Sequence, residues 1–255
     1  MDFLFSGYGL IIISIPFFLA ILILGWYRQK EAQDLKSIDL QILSHQNNFS
    51  YAENDSALQN SLNYLGLFPG ESGKTFNVIT KRHEAFDSYI FDASYMIGPG
   101  KSKRKVRAIG IAVKFYRAAM PKYEIQKKQR FDSFSRFDKM KKANDKYFPD
   151  WMIDRFSVFG HKMDKDKTAQ EILSNIDKLY PLITAVDFQL LAGHEQFVVF
   201  FQPGELPTDL TGLQHLEERA LILAQAFSHE SSAPKNKVDT EISDEIKMLK
   251  QNEKK

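Results

Sequence analysis

No cysteine occurs in the 255 residues, which excludes disulfide staples, thiolate nucleophiles and cysteine-held zinc or iron–sulfur centres. Histidine is sparse and scattered. His45, His83, His161, His194, His215 and His229 include no His-x-x-x-His or His-Glu-x-x-His pair that would set two ligands on one helix face, so no metal site is expected among them. His215, close to Glu217 and Glu218, reads as the exposed face of a helix, and His161 with Asp164 as a strand end and a cap. There is no Gly-x-Ser-x-Gly elbow.

Gly70-Glu71-Ser72-Gly73-Lys74-Thr75 copies only the tail of a phosphate-binding loop. Phe68 stands where that loop needs glycine, and Phe76-Asn77-Val78-Ile79 reads as a strand where the mechanism needs a helix N-terminus. A turn entering a strand fits better. Asp87 and Asp92 are five residues apart in one expected strand, so they face opposite sides and cannot act as a carboxylate pair. The sequence therefore shows no catalytic residue and implies no cofactor. An enzyme would need distant groups such as His83, Asp92, His161 and Asp187 to converge in the fold.

Charge is absent from Phe3 to Tyr27. A helix of about 24 residues at ~1.5 Å each matches a hydrocarbon core of about 30 Å, so residues 1–27 are expected to form a single transmembrane anchor. A cleaved leader would carry a basic start and a shorter apolar stretch, and only Asp2 precedes this one. Trp26 and Tyr27 suit the interfacial belt. Arg28, Lys30 and Lys36 follow, with no Lys or Arg before them, so the bias of basic residues predicts a cytoplasmic C-terminal domain.

With 21 Phe and 10 Tyr over its length, the chain has too much apolar bulk for disorder. Leu35, Ile38, Ile42 and Leu43 recur at helical spacing, and a second short helix is expected from an Asp55-Ser56 cap through Leu58, Leu62 and Leu65 to Gly66, so residues 28–70 read as a helical stalk. From residue 71 the texture becomes β-branched and aromatic. Strands are expected at 75–80, 86–96 and 109–115, with Gly98-Pro99-Gly100 as a hairpin turn, an edge strand at 122–126, and another strand at 155–160. Ala169, Ile172, Leu173, Ile176 and Leu179 mark one helical face ending at Pro181. A hairpin of 184–191 and 196–202 follows, then a helix from Thr208-Asp209 that buries Leu213, Leu216, Ala220, Leu223 and Phe227. The fold class is α+β: a transmembrane helix, then an antiparallel sheet of about 5–7 strands packed with two or more helices over residues 71–228. Residues 229–255 read as a polar flexible tail.

Charge is unevenly placed. The chain sums to +2, yet residues 101–146 hold sixteen Lys and Arg against four Asp and Glu. Lys101, Lys103, Arg104, Lys105, Arg107, Lys127, Lys128 and Arg130 are the candidate binding residues for an anionic surface. Beside acidic lipid each basic residue adds about 1 kcal/mol of attraction, screened by salt. The plain alternative is a solvated hairpin whose charges protect a sheet edge from aggregation. Nucleic acid is not expected, because no recognition motif accompanies the basic residues. Tyr147-Phe148-Pro149-Asp150-Trp151-Met152 reads as a core plug.

Leu67-Phe68, Asn77-Val78, Phe91-Asp92-x-x-Tyr95, Pro121-x-Tyr123 and Arg155-Phe156 recur in an order that resembles uncharacterised bacterial single-pass membrane proteins with a domain of unknown function, over residues 60–228. The resemblance implies this architecture and a bacterial inner-membrane setting, and brings no activity or site residue. The expected function is a membrane-tethered, non-enzymatic binding or scaffolding module whose basic face, 101–146, meets anionic lipid headgroups or an acidic protein partner. The alternatives are a structural subunit of an envelope complex and an enzyme acting near the membrane.

Overall fold

The structure, a computed structural model, describes residues 7–98, 102–117, 120–128, 140–142, 147–161 and 165–228. The expected tail at 229–255, together with Lys101, Arg130 and the Phe131, Phe134 and Phe137 stretch, lies outside the described residues.

A 40-residue helix, α1 (Gly7–Gln46), opens the fold. β1 (Ser50–Ala52) and α2 (Ser56–Tyr64) follow, then three long strands, β2 (Glu71–Arg82), β3 (Phe86–Ile97) and β4 (Arg104–Phe115). β5 (Met120–Lys127), β6 (Met140–Lys142), α3 (Asp150–Arg155) and β7 (Phe156–His161) come next. The chain then forms α4 (Lys165–Ser174), α5 (Ile176–Ile183), the hairpin β8 (Leu190–Glu195) and β9 (Phe197–Pro203), and α6 (Leu210–Phe227).

The strands build one sheet in the order β1-β2-β3-β4-β9-β8-β5-β7-β6. Every pair is antiparallel. The nine strands among the described residues exceed the expected 5–7, because the three-residue strands β1 and β6 are too short to show a period in sequence. The strand expected at an edge over 122–126 is β5, which sits inside the sheet between β7 and β8. The β8–β9 hairpin slots in beside β4 and separates it from β5.

The expected transmembrane helix, and with it the single-pass membrane assignment, is corrected here: no helix among the described residues is long and apolar enough to cross a membrane. From Arg28 the helix α1 continues through Lys30, Glu31, Asp34, Lys36 and Asp39 without a break. The cytoplasmic orientation rests on that span and goes with it.

Instead, the C-terminal half of α1 docks on the sheet. Leu40 and Ser44 are fully buried, and Leu40 shares a core with Phe49, Ile79, Ile90 and Ile111. Helices α4, α5 and α6 contribute Ile172, Leu182 and Leu223 to the same core. On the opposite face α2 sets Leu58 and Leu62 against Val78, Phe91, Tyr95 and Phe201. Alternation along β3 explains both layers, since Ile90 points to one and Phe91 to the other. Asp55 caps α2 by accepting from the Leu58 amide at 2.9 Å, and Asp209 caps α6 by accepting from the Gly212 amide at 2.8 Å.

Candidate functional site

A cleft of about 330 Å³ opens where α1 crosses the face of β2, β3 and β4. Its floor is organised by Asn77. This residue lies at an irregularity of β2, between Phe76 and Ile79, with φ +50°, a left-handed conformation that asparagine tolerates better than most residues. Its amide N–H donates to the Glu53 carbonyl at 2.8 Å. The side chain turns into the cleft, where Nδ2 donates to Asp92 Oδ2 at 2.9 Å and Oδ1 accepts from the Tyr51 hydroxyl at 2.8 Å. Because the only Tyr51 hydroxyl proton is used on Asn77, the Ser37 hydroxyl that touches Tyr51 acts as the donor. Burial raises the pKa of Tyr51, and the Ser37 contact opposes that rise.

Asp92 is the hub. Lys36 of α1 reaches its Oδ2 at 2.9 Å, and the Leu206 backbone N–H reaches its Oδ1 at 2.8 Å. With Asn77, the carboxylate therefore accepts from the opening helix, the second strand and the loop after β9 together. Glu205 bridges Arg107 at 2.7 Å and Lys36 at 3.5 Å. The hydrogen bond from Arg107, reinforced by the charge of Lys36, holds the Glu205 carboxyl below the ordinary carboxylate range against the smaller effect of desolvation.

The predicted anionic-binding residues reach one end of the sheet from two strands. Register joins Ala108 of β4 to Pro203 of β9, Phe201 of β9 to Leu190 of β8, and Leu190 to Gln126 of β5. The first residues of β4 and the last of β5 thus lie toward the same end of the sheet, about 14 Å apart in width across three strand spacings and staggered along the strands, since Gly110 and Gln126 share a row. They are not equivalent. Lys103 pairs with Glu71 and Arg107 with Glu205. Lys127 donates to the Val186 carbonyl at 2.7 Å and Lys128 to that of Ile153 at 3.3 Å. Arg104 and Lys105 are exposed and form no ion pair among the described residues. Lys101 and Arg130 lie outside the described residues.

His83, Asp92, His161 and Asp187 do not converge. His83 contacts Ser88 at 3.3 Å and stacks on Phe86, Asp187 pairs with Arg219 at 2.9 Å, and His161 ends β7 opposite Met140. Among the described residues no group of three or more His, Asp or Glu is arranged to hold a metal ion.

Sequence reasoning did not find Lys36, Glu53 or Glu205 as cleft residues, because they lie on separate elements far apart in the chain. Asn77 and Asp92 did stand out as motif residues, and they now have a shared role. Their neighbours Val78, Phe91 and Tyr95, with Phe68, belong to the core under α2.

Neither a protein-family model nor a curated protein matches the sequence. Among solved structures, the chain is similar to the crystal structure of the mycobacterial trehalose monomycolate transport factor A, TtfA, with a TM-score of 0.47 and 9% identity over 74% of this chain and 94% of that one. A likeness this distant carries no functional argument.

Proposed function

We propose that the protein is a non-enzymatic binding module that presents the basic end of its sheet to anionic lipid headgroups. The observation that carries this reading is the placement of the basic ends of β4 and β5 toward one end of the sheet, with Arg104 and Lys105 exposed and uncommitted among the described residues. Each such charge near an acidic lipid surface contributes about 1 kcal/mol, and the contribution declines as salt shortens the range of the field. The helix α1 leaves the fold at this end. Its buried Leu40 packs at the level of Ile90 and Ile111, whereas Lys36, one turn earlier on the helix, reaches Asp92 of β3 on the side of the first residues of β4. Trp26 and Tyr27, further out on α1, are both exposed, and amphipathic rings of this kind suit headgroup depth.

The test is sedimentation of the full chain with vesicles. At low salt it should pellet with phosphatidylglycerol-containing vesicles in preference to pure phosphatidylcholine, and added salt should reduce the preference. The double variant Arg104→Glu, Lys105→Glu should lose it while keeping the parent's thermal unfolding, since exposed charges contribute little to stability. Equal recovery with both vesicle types, or a variant that keeps the preference, overturns the reading.

A further inference from the structure

The charges lining the cleft cancel in a pattern that leaves a remainder. Lys36 is matched to Asp92 at 2.9 Å and Arg107 to Glu205 at 2.7 Å. Three further charged residues line the same space: Lys105 on β4, Asp34 on α1 and Glu53 just after β1. All three are exposed, and none forms an ion pair among the described residues. Their placement is ordered. β1 and β4 flank β2 and β3, so Glu53 and Lys105 stand on opposite rims, separated by about 14 Å of sheet width that their side chains shorten. One rim is cationic, where Lys105 and Arg107 lie two residues apart on the same face of β4. The other rim is anionic at Glu53, and Asp34 stands on the helix that crosses between the two. Between them the floor offers the fixed dipoles of Asn77 and Ser94.

We infer that this cleft binds a small zwitterionic group, with a phosphate or carboxylate at Lys105 next to the Arg107–Glu205 pair and an ammonium at Asp34 and Glu53. A simple anion would meet two unmatched carboxylates within the same space, and a simple cation would meet the Lys105 and Arg107 rim. Only a ligand carrying both signs satisfies both rims. The volume, about 330 Å³, lies at the lower end of small-molecule pockets, which suits a compact phosphoamine or amino acid. The same ammonium–phosphate chemistry occurs in free phosphoamines and in the headgroup of phosphatidylethanolamine. This inference shares Lys105 with the anionic-surface reading and is separated from it by the carboxylates Asp34 and Glu53.

The probe is O-phosphoethanolamine, titrated calorimetrically into the full chain, with inorganic phosphate and ethanolamine titrated separately. Saturable binding of O-phosphoethanolamine, at least tenfold tighter than either fragment, is expected. The double variant Asp34→Asn, Glu53→Gln should lose at least tenfold in that affinity while still preferring phosphatidylglycerol to phosphatidylcholine vesicles, so loss of the cleft ligand is distinguishable from loss of the anionic surface. Phosphatidylethanolamine vesicles that compete with the free probe would identify a lipid headgroup as the source, and vesicles that do not compete would identify a soluble phosphoamine. Absence of saturable binding overturns the inference. So does inorganic phosphate binding as tightly as O-phosphoethanolamine, or unchanged affinity in the double variant.

Discussion

Asp92 shows how one side chain ties distant parts of the chain together. Its carboxylate is 15% exposed and accepts from Lys36, Asn77 and the Leu206 amide. Replacing it by alanine leaves a part-buried ammonium, an amide and a backbone N–H without their acceptor. Removing one partner of a buried pair is far more costly than the pair's net worth, so Asp92→Ala should destabilise by about 2–4 kcal/mol, read from the denaturant midpoint. A midpoint equal to the parent's would show that the network has no structural weight. At this scale the sequence was partly legible. The five-residue spacing of Asp87 and Asp92 correctly put them on opposite faces: Asp87 accepts from the Tyr116 hydroxyl at 2.7 Å on its own side. Asn77 was read as part of a strand, but its left-handed turn was not visible, because the irregularity depends on pairing with β3.

At the scale of elements, the structural question is what fixes α1 to the sheet and so forms the roof of the cleft. Leu40 is completely buried there, in contact with a core built from β1 to β4 and α6. Leu40→Ala should lower stability by about 2–5 kcal/mol, in the range for a buried leucine truncation. It should also weaken any cleft ligand, since Gln33 to Gln41 hold one wall. A variant with unchanged stability would mean that α1 is not docked as described. Sequence periodicity located the ends of α2 and α6 well, because capping by Asp55 and Asp209 is a local signal. It misjudged the helical region around Pro181. The chain breaks at Asn175, ahead of the proline, and Pro181 lies inside α5. The strand expected at 184–191 begins only at Leu190. Residues 184–189 include the exposed Val186, which a pattern of β-branched residues cannot distinguish from a buried one.

For the whole molecule, the account depends on strand order, and strand order is the feature that local pattern carries least. Antiparallel α+β layering followed from hairpin turns and from strands and helices in runs. Nothing in the sequence around Lys103–Arg107 or Lys127–Lys128 indicates that β9 and β8 lie between them and bring both groups to one end. An uncharged run in α1 likewise shows length and polarity but not how much of the helix is claimed by the sheet, and the buried Leu40 and Ser44 mark that boundary only in three dimensions.

The absence of cysteine makes the central claim directly measurable, because a single introduced thiol labels one place. Ser102→Cys puts an environment-sensitive fluorophore at the basic end, and Glu84→Cys puts one at the β2–β3 turn, both at exposed positions. On adding phosphatidylglycerol vesicles at low salt, the label at position 102 should shift to the blue and the label at 84 should not, with the shift reversed by salt. A shift at 84 alone, or none at either position while the protein still sediments with the vesicles, would contradict the claim that the basic end of the sheet is the surface that binds.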